Sequence, residues 1–127
     1  MNKNYNNLKI FEKAKYINIQ SYKKTGQPIS TPVWFIIKDN KIFFRTSHNS
    51  GKIKRIRNNS NVKFALCDIR GKIKGEWYEG IAKIENDLDN SILFQINKKY
   101  GLSSILMKIF YKIKKIDIVI LSIELKN

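Results

Sequence analysis

The stretch RTSHNSGKIKRIR, residues 45–57, joins a predicted strand to a predicted helix. Residues 42–46 read as a strand, and Ser50 is a good N-cap for a short helix. The free N–H groups at the start of such a helix, together with the helix dipole, favour an anion. Thr46 and Ser50 add hydroxyl groups at the junction, and Lys52 adds a positive charge. The stretch therefore predicts a site for a small phosphate group.

A second interpretation of these residues is a solvated amphipathic helix. Lys52 and Arg55 are three residues apart and share one face, while Ile53 and Ile56 share the neighbouring, inward face. Basic residues on helices often do no more than keep a surface wet. Spacing alone leaves both interpretations open. His48, in the loop, could donate a proton or a hydrogen bond, but a loop histidine is more often simply exposed.

The composition is that of a globular domain with an unusual charge. The chain has 127 residues, of which 43% are hydrophobic, and its 25 Lys and Arg against 10 Asp and Glu give a net charge of +15. Such a field attracts polyanions, although the abundance of Lys, Asn and Ile suggests that part of the excess is compositional. Aromatic residues are not interleaved with the basic residues as in RNA-recognition sheets. Nucleic-acid binding is therefore a weaker interpretation, which we place third, after the two small-molecule alternatives given below.

Residue counts and the pattern of apolar residues argue against several classes of site and location. Cys67 is the only cysteine and His48 the only histidine, so we expect no disulfide and no transition-metal site. We expect Cys67 to be a small buried hydrophobic residue. The N-terminus MNKNYNNLKIF lacks the apolar segment of a signal peptide, and no apolar run is long enough to cross a membrane. We expect a cytoplasmic protein without a membrane partner.

The order of predicted elements favours a mainly β (α+β) fold in one domain, residues 1–127. Short turns join most of the strands, which predicts a six-stranded antiparallel barrel with helices packed outside. The predicted strands are residues 16–22, 29–37, 42–46, 62–67, 73–84 and 117–125. The predicted helices are residues 7–14, 50–58 and 88–100, the last terminated by Gly101. A further amphipathic helix is expected to pack on the barrel through Leu102, Leu106, Ile109, Ile113 and Ile116.

Five motifs occur in a characteristic order. They are TPVWF at 31–35, RT at 45–46, GKIKRI at 51–56, CD at 67–68 followed by Gly71 and Gly75, and KYG at 99–101. Together they resemble the pyridoxamine 5'-phosphate oxidase-like (PPOX class) split-barrel flavoproteins, most closely the branch that uses the deazaflavin coenzyme F-420. The resemblance covers nearly the whole chain. It implies an FMN-binding-like split barrel, usually a homodimer with a cofactor in each of two clefts at the interface.

The resemblance also implies a set of cofactor-binding residues. The strand that contains Pro32, Val33 and Trp34 would lie against the ring system, although Trp34 could equally be a core residue. The implied phosphate ligands are Thr46, Ser50 and Lys52, with Arg55 on the phosphate or the ribityl chain and Trp77 at the cleft of the other subunit. One departure lies before the first Gly turn, where Lys23 or Lys24 replaces the Arg-like residue of many relatives.

The expected function is hydride transfer from the reduced deazaflavin to an unknown small molecule with an unsaturated or carbonyl group. The cofactor supplies that chemistry, so the sequence needs no triad, paired carboxylates or metal, and no residue is assigned to catalysis. The basic charge would follow the acidic tail of coenzyme F-420. The alternative is FMN, bound by an oxidoreductase or by a non-catalytic flavin-binding protein of the same fold.

Overall fold

The computed structural model describes residues 8–87 and 90–126. Seven antiparallel strands in this part form one curled sheet. They are β1 (Ile17–Tyr22), β2 (Pro28–Val33), β3 (Phe35–Lys38), β4 (Lys41–Ser47), β5 (Asn61–Leu66), β6 (Tyr78–Glu85) and β7 (Ile118–Leu125). Their order in the sheet is β2-β1-β5-β6-β7-β4-β3. The prediction of an antiparallel split barrel is confirmed.

Alternation along the strands divides the core between the two faces of the sheet. In β4, Ile42 and Phe44 face the larger cluster, which also holds Phe11, while Phe43 faces a smaller cluster. The smaller cluster contains Ile92 and Ile96 from the long helix described below. Successive strand residues point to opposite faces, so β4 is covered on both sides. This is why its sequence, unlike that of a half-exposed strand, is apolar at consecutive positions.

Two helices lie wholly within the described residues. Helix α1 (Gly51–Asn58) begins after Ser50, whose side chain accepts a hydrogen bond from the Ile53 backbone N–H at 3.4 Å. Ile53 and Ile56 are buried, as their spacing predicts. Helix α2 (Ser91–Lys114) is broken at Gly101, which has φ 56° and ψ −128°. These angles are not helical, so the predicted helix break at Gly101 is confirmed. Glycine adopts this backbone conformation at little cost because it has no Cβ.

Three predicted boundaries need correction. The strand predicted for residues 29–37 is interrupted at Trp34 and forms β2 and β3, so the sheet has seven strands instead of six. The strand predicted to start at residue 73 starts at Tyr78, and the preceding segment makes only an isolated bridge between Cys67 and Ile73. Of the helix predicted for residues 7–14, residues 8–9 are helical and residues 10–13 form a turn, and Leu8 and Phe11 are both buried. The predicted start of helix 88–100 lies outside the described residues.

The face by which the second half of α2 was predicted to pack on the barrel is wrong: Ser104 is buried and Met107 and Tyr111 line a cavity with strand residues, whereas the predicted apolar stripe is exposed. Leu102 and Ile113 are 73% and 72% exposed, and Leu106 and Ile109 are more than half exposed. The chain changes direction at Gly101, which turns this apolar stripe away from the sheet. No helix in the described part of the chain is long and apolar enough to cross a membrane. Cys67 is 8% exposed and buried, as predicted.

Candidate functional site

A cavity of about 260 Å³ lies where the ends of β2 and β4, the start of α1 and the second half of α2 come together. Its wall combines aromatic and aliphatic side chains with two cations and contains no carboxylate. The lining residues are Tyr16, Pro32, Val33, Trp34, Arg45, Thr46, Lys52, Ile69, Met107 and Tyr111. Ligand sites are usually apolar clefts with a few polar groups at fixed positions, and this cavity has that character.

One end of the cavity is formed by the corner between β2 and β3. Trp34 stacks on Tyr100 with ring centroids 4.5 Å apart and an interplanar angle of 9°. The Tyr100 hydroxyl accepts from the Phe35 N–H at 2.9 Å and lies within donating distance of the Lys15 carbonyl at 2.8 Å. Burial raises the pKa of Tyr100 to about 12, so this hydroxyl stays protonated. The KYG motif thus holds the corner that carries Trp34.

The other end contains hydroxyl groups and an ammonium group. The Lys52 Nζ, reaching from the first turn of α1, donates to the Thr31 Oγ1 on β2 at 3.1 Å. Burial, with a smaller contribution from the charge of Arg55, lowers the pKa of Lys52 from its usual value. Thr46 is buried at 8% exposure at the end of β4. A partly desolvated cation beside two threonines can hold an anion more strongly than a cation in water.

The structure brings five of the eight predicted binding residues to this cavity. Pro32, Val33, Trp34, Thr46 and Lys52, from three separate segments, form part of one wall. Lys52 is therefore not a residue of a solvated helix face, because its side chain turns towards β2 and away from bulk water.

The remaining three predicted residues do not line the cavity in this chain. The Ser50 hydroxyl caps α1 through the Ile53 N–H. The Arg55 Nε donates to the Ser21 Oγ at 2.7 Å. Trp77 precedes β6 and is 40% exposed. The position of His48 is also outside the wall: it is exposed, and its N–H donates to the Asp117 carbonyl.

Several cavity residues were not predicted. Arg45 was recognised only as a strand residue and as part of the RT motif, and its charge inside an apolar strand was the signal that could have marked it as a site residue. Met107 and Tyr111 belong to a helix whose direction depends on Gly101, and helical periodicity does not indicate that direction. Among residues 8–87 and 90–126, no group of three or more His, Cys, Asp and Glu side chains could hold a metal. The wall of the cavity itself offers hydroxyl groups, cations and aromatic rings.

The curled antiparallel sheet is that of the split-barrel proteins. The chain belongs to the pyridoxamine 5'-phosphate oxidase family, because the sequence model of that family matches residues 6–124. The resemblance inferred from the motifs is confirmed at this level. A search of curated proteins finds no match.

Solved structures of the same fold are numerous and distant in sequence. The conserved hypothetical protein Rv2991 of Mycobacterium tuberculosis is 19% identical with a TM-score of 0.73, over 100% of this chain and 82% of that one. A protein described as an F-420 reductase is 15% identical with a TM-score of 0.63, over 94% and 93%. The heme storage protein HutZ of Vibrio cholerae is 13% identical with a TM-score of 0.69, over 96% and 89%. At these identities the similarity shows the fold alone.

Proposed function

We propose that the protein is a cytoplasmic oxidoreductase that binds the deazaflavin coenzyme F-420 in the cavity and passes hydride to a small unsaturated or carbonyl acceptor. The observation that carries this proposal is the convergence of Pro32, Val33 and Trp34 with Thr46 and Lys52 in one wall. These segments are distant in sequence, and the resemblance assigns them to the two ends of one cofactor. The F-420 reductase of the same fold adds support.

The residues present fit such a cofactor. A flat aromatic corner at Trp34 suits a planar ring system, and Thr46 with Lys52 offers a hydroxyl and an ammonium group to a phosphate. The bound cofactor would supply the hydride chemistry. The protein residues would hold the ring at the Trp34 corner, neutralise the phosphate and keep water from part of the cavity. No side chain in the wall is required to act as a nucleophile.

Two features favour the deazaflavin over FMN. The net charge of +15 would attract the acidic tail that coenzyme F-420 carries and FMN lacks. Lys23 and Lys24 line a separate cavity of about 420 Å³ with Gly26 and Asn59, where such a tail would meet two ammonium groups. FMN remains the alternative ligand, because the phosphate contacts are the same for both cofactors.

We also propose that the protein is a homodimer. The second half of α2 presents an apolar stripe that the described residues of this chain do not cover, and apolar stripes of this kind mark association surfaces. Ile109→Glu should therefore convert a dimer to a monomer in light scattering after size exclusion, whereas Lys112→Glu, a change on the same helix, should not. A wild-type monomer would contradict the dimer. In a dimer, the exposed Trp77 is available to the cofactor cleft of the partner.

Parallel titrations of the purified protein with coenzyme F-420 and with FMN test the cofactor assignment. We expect quenching of coenzyme fluorescence on binding and a higher affinity for F-420. Oxidation of the reduced coenzyme by a panel of enones and quinones, followed by absorbance, then distinguishes an enzyme from a carrier. Tight FMN binding without a response to F-420 would replace the first choice by the alternative. Binding of nucleic acid alone, with a steep salt dependence, would favour the third interpretation.

A further inference from the structure

Arg45 is a buried cation that has no counter-charge among residues 8–87 and 90–126. Its side chain extends from β4 and the residue is only 7% exposed. Nη1 donates to the Asn97 Oδ1 at 2.8 Å, while Nη2 is buried and has no hydrogen-bond partner. None of the described Asp and Glu side chains forms an ion pair with it. Burial lowers the pKa of Arg45 from its usual value, but arginine remains charged in proteins.

The surroundings of the guanidinium provide aromatic contacts but no hydrogen-bond acceptor for Nη2. Its central carbon lies 5.4 Å from the Trp34 ring centroid and 5.8 Å from the Tyr111 ring centroid, and these rings partly replace lost hydration. Aromatic rings cannot satisfy the N–H groups at its edge, which match a planar carboxylate or a phosphate in two-point geometry. A buried charge of this kind is normally paired.

Arg45 lies where a ligand could supply the acceptor that Nη2 lacks. Arg45 lines the same cavity as Trp34 and Lys52. It also lines an adjoining cavity of about 380 Å³, together with Asn97 and Tyr111. Nη2 is covered in this conformation, so a ligand reaches it only when a neighbouring side chain moves. Tyr111 is the nearest candidate, because it belongs to the half of α2 beyond the break at Gly101.

We propose that Arg45 is the oxyanion receptor of the cavity and that the acceptor reduced there carries a carboxylate or phosphate group. This inference rests on the proposed function, because it defines the substrate class of the same site. The acceptor would place its oxyanion at Arg45 and its reducible group over the ring held at the Trp34 corner. The phosphate of the cofactor would be held separately by Thr46 and Lys52.

Calorimetric titration of the protein, loaded with whichever of F-420 and FMN it binds, tests the proposal. The probes are benzoate, phenyl phosphate and the uncharged isostere benzamide, at physiological ionic strength to screen the surface lysines. We expect at least one oxyanion to bind about tenfold or more tightly than benzamide, as a hydrogen-bonded charge pair provides. Equal affinities for all three probes would overturn the proposal.

Three variants separate Arg45 from general charge. Arg45→Gln should abolish the oxyanion preference, and Arg57→Gln, an identical change at an exposed position of α1, should leave it intact. Asn97→Asp keeps the acceptor oxygen that Arg45 and Ser104 share and adds an internal carboxylate, so it should weaken oxyanion binding without disturbing the fold. Retention of the preference in both Arg45→Gln and Asn97→Asp would contradict the assignment.

Comparison with the cofactor-free protein distinguishes the two possible failures. If neither cofactor binds, the proposed function fails irrespective of Arg45. If a cofactor binds and eliminates an oxyanion site that the free protein has, Arg45 belongs to the cofactor, and the acceptor assignment is wrong. If the cofactor leaves the oxyanion preference in place, the receptor is available to a substrate, as proposed.

Discussion

Removal of a single hydroxyl group at Tyr100 should loosen the corner that carries Trp34. In Tyr100→Phe the ring can still stack on Trp34, but the Phe35 N–H loses the acceptor that lies 2.9 Å away, and Phe35 is fully buried. A buried donor left without a partner costs about 1–3 kcal/mol. For a domain of this size, between the smaller and larger classes, each kcal/mol of lost stability lowers Tm by about 4 °C, so Tm should fall by about 4–12 °C.

Thermal and urea unfolding, followed by tryptophan fluorescence, measure this loss. Tyr111→Phe is the matched control, because it is the same change on the same helix. The Tyr111 hydroxyl makes no hydrogen bond within the described part of the chain. The control should change the free energy of unfolding by less than about 0.5 kcal/mol. Cofactor affinity should also fall in Tyr100→Phe, since the corner helps to form the cavity. Equal stabilities of the two variants would refute the role given to the KYG motif.

Two further predictions concern packing and charge. Gly80→Ala should destabilise the protein by about 1–3 kcal/mol in urea unfolding, because its Cβ would lie 2.5 Å from the Ile123 Cγ2 and 3.0 Å from the Glu124 carbonyl oxygen. Gly75→Ala, whose nearest contact is 3.6 Å from Leu66, should cost much less, and equal losses would contradict the packing argument. Burial lowers the pKa of Lys99 from 10.5 to about 8. The unfolded chain therefore binds more protons in this interval, so Tm should rise between about pH 8 and 10.5 relative to Lys99→Met. Parallel pH profiles would contradict this assignment.

The sequence predicted the sheet well because strand periodicity depends on local residues. Alternation and short turns indicated the antiparallel barrel, and the Ser50 cap and the Gly101 break were readable for the same reason. The interruption at Trp34 was not readable from local pattern, and the Phe35 N–H that follows it bonds to Tyr100, a residue distant in sequence.

The candidate site was predicted only where its residues belong to ordered motifs. Thr46 and Lys52 converge with the Pro32 segment, as the resemblance implied. Arg55 satisfied the same spacing argument, but its side chain bonds to Ser21 on β1. Spacing along α1 defines a shared face without defining which neighbouring strand each long side chain contacts. The contribution of Tyr111 required the direction of α2 beyond Gly101, which is a tertiary property.

The most direct test of the central claim compares cofactor affinity in Lys52→Ala and Lys114→Ala. Both variants remove one lysine charge, but Lys52 lines the cavity and Lys114 is exposed at the end of α2. If the cavity holds the cofactor phosphate, Lys52→Ala should weaken binding about tenfold or more, as loss of a charged hydrogen bond does. Lys114→Ala should retain nearly the wild-type affinity. Equal losses in the two variants would mean that general positive charge, and not this cavity, attracts the cofactor.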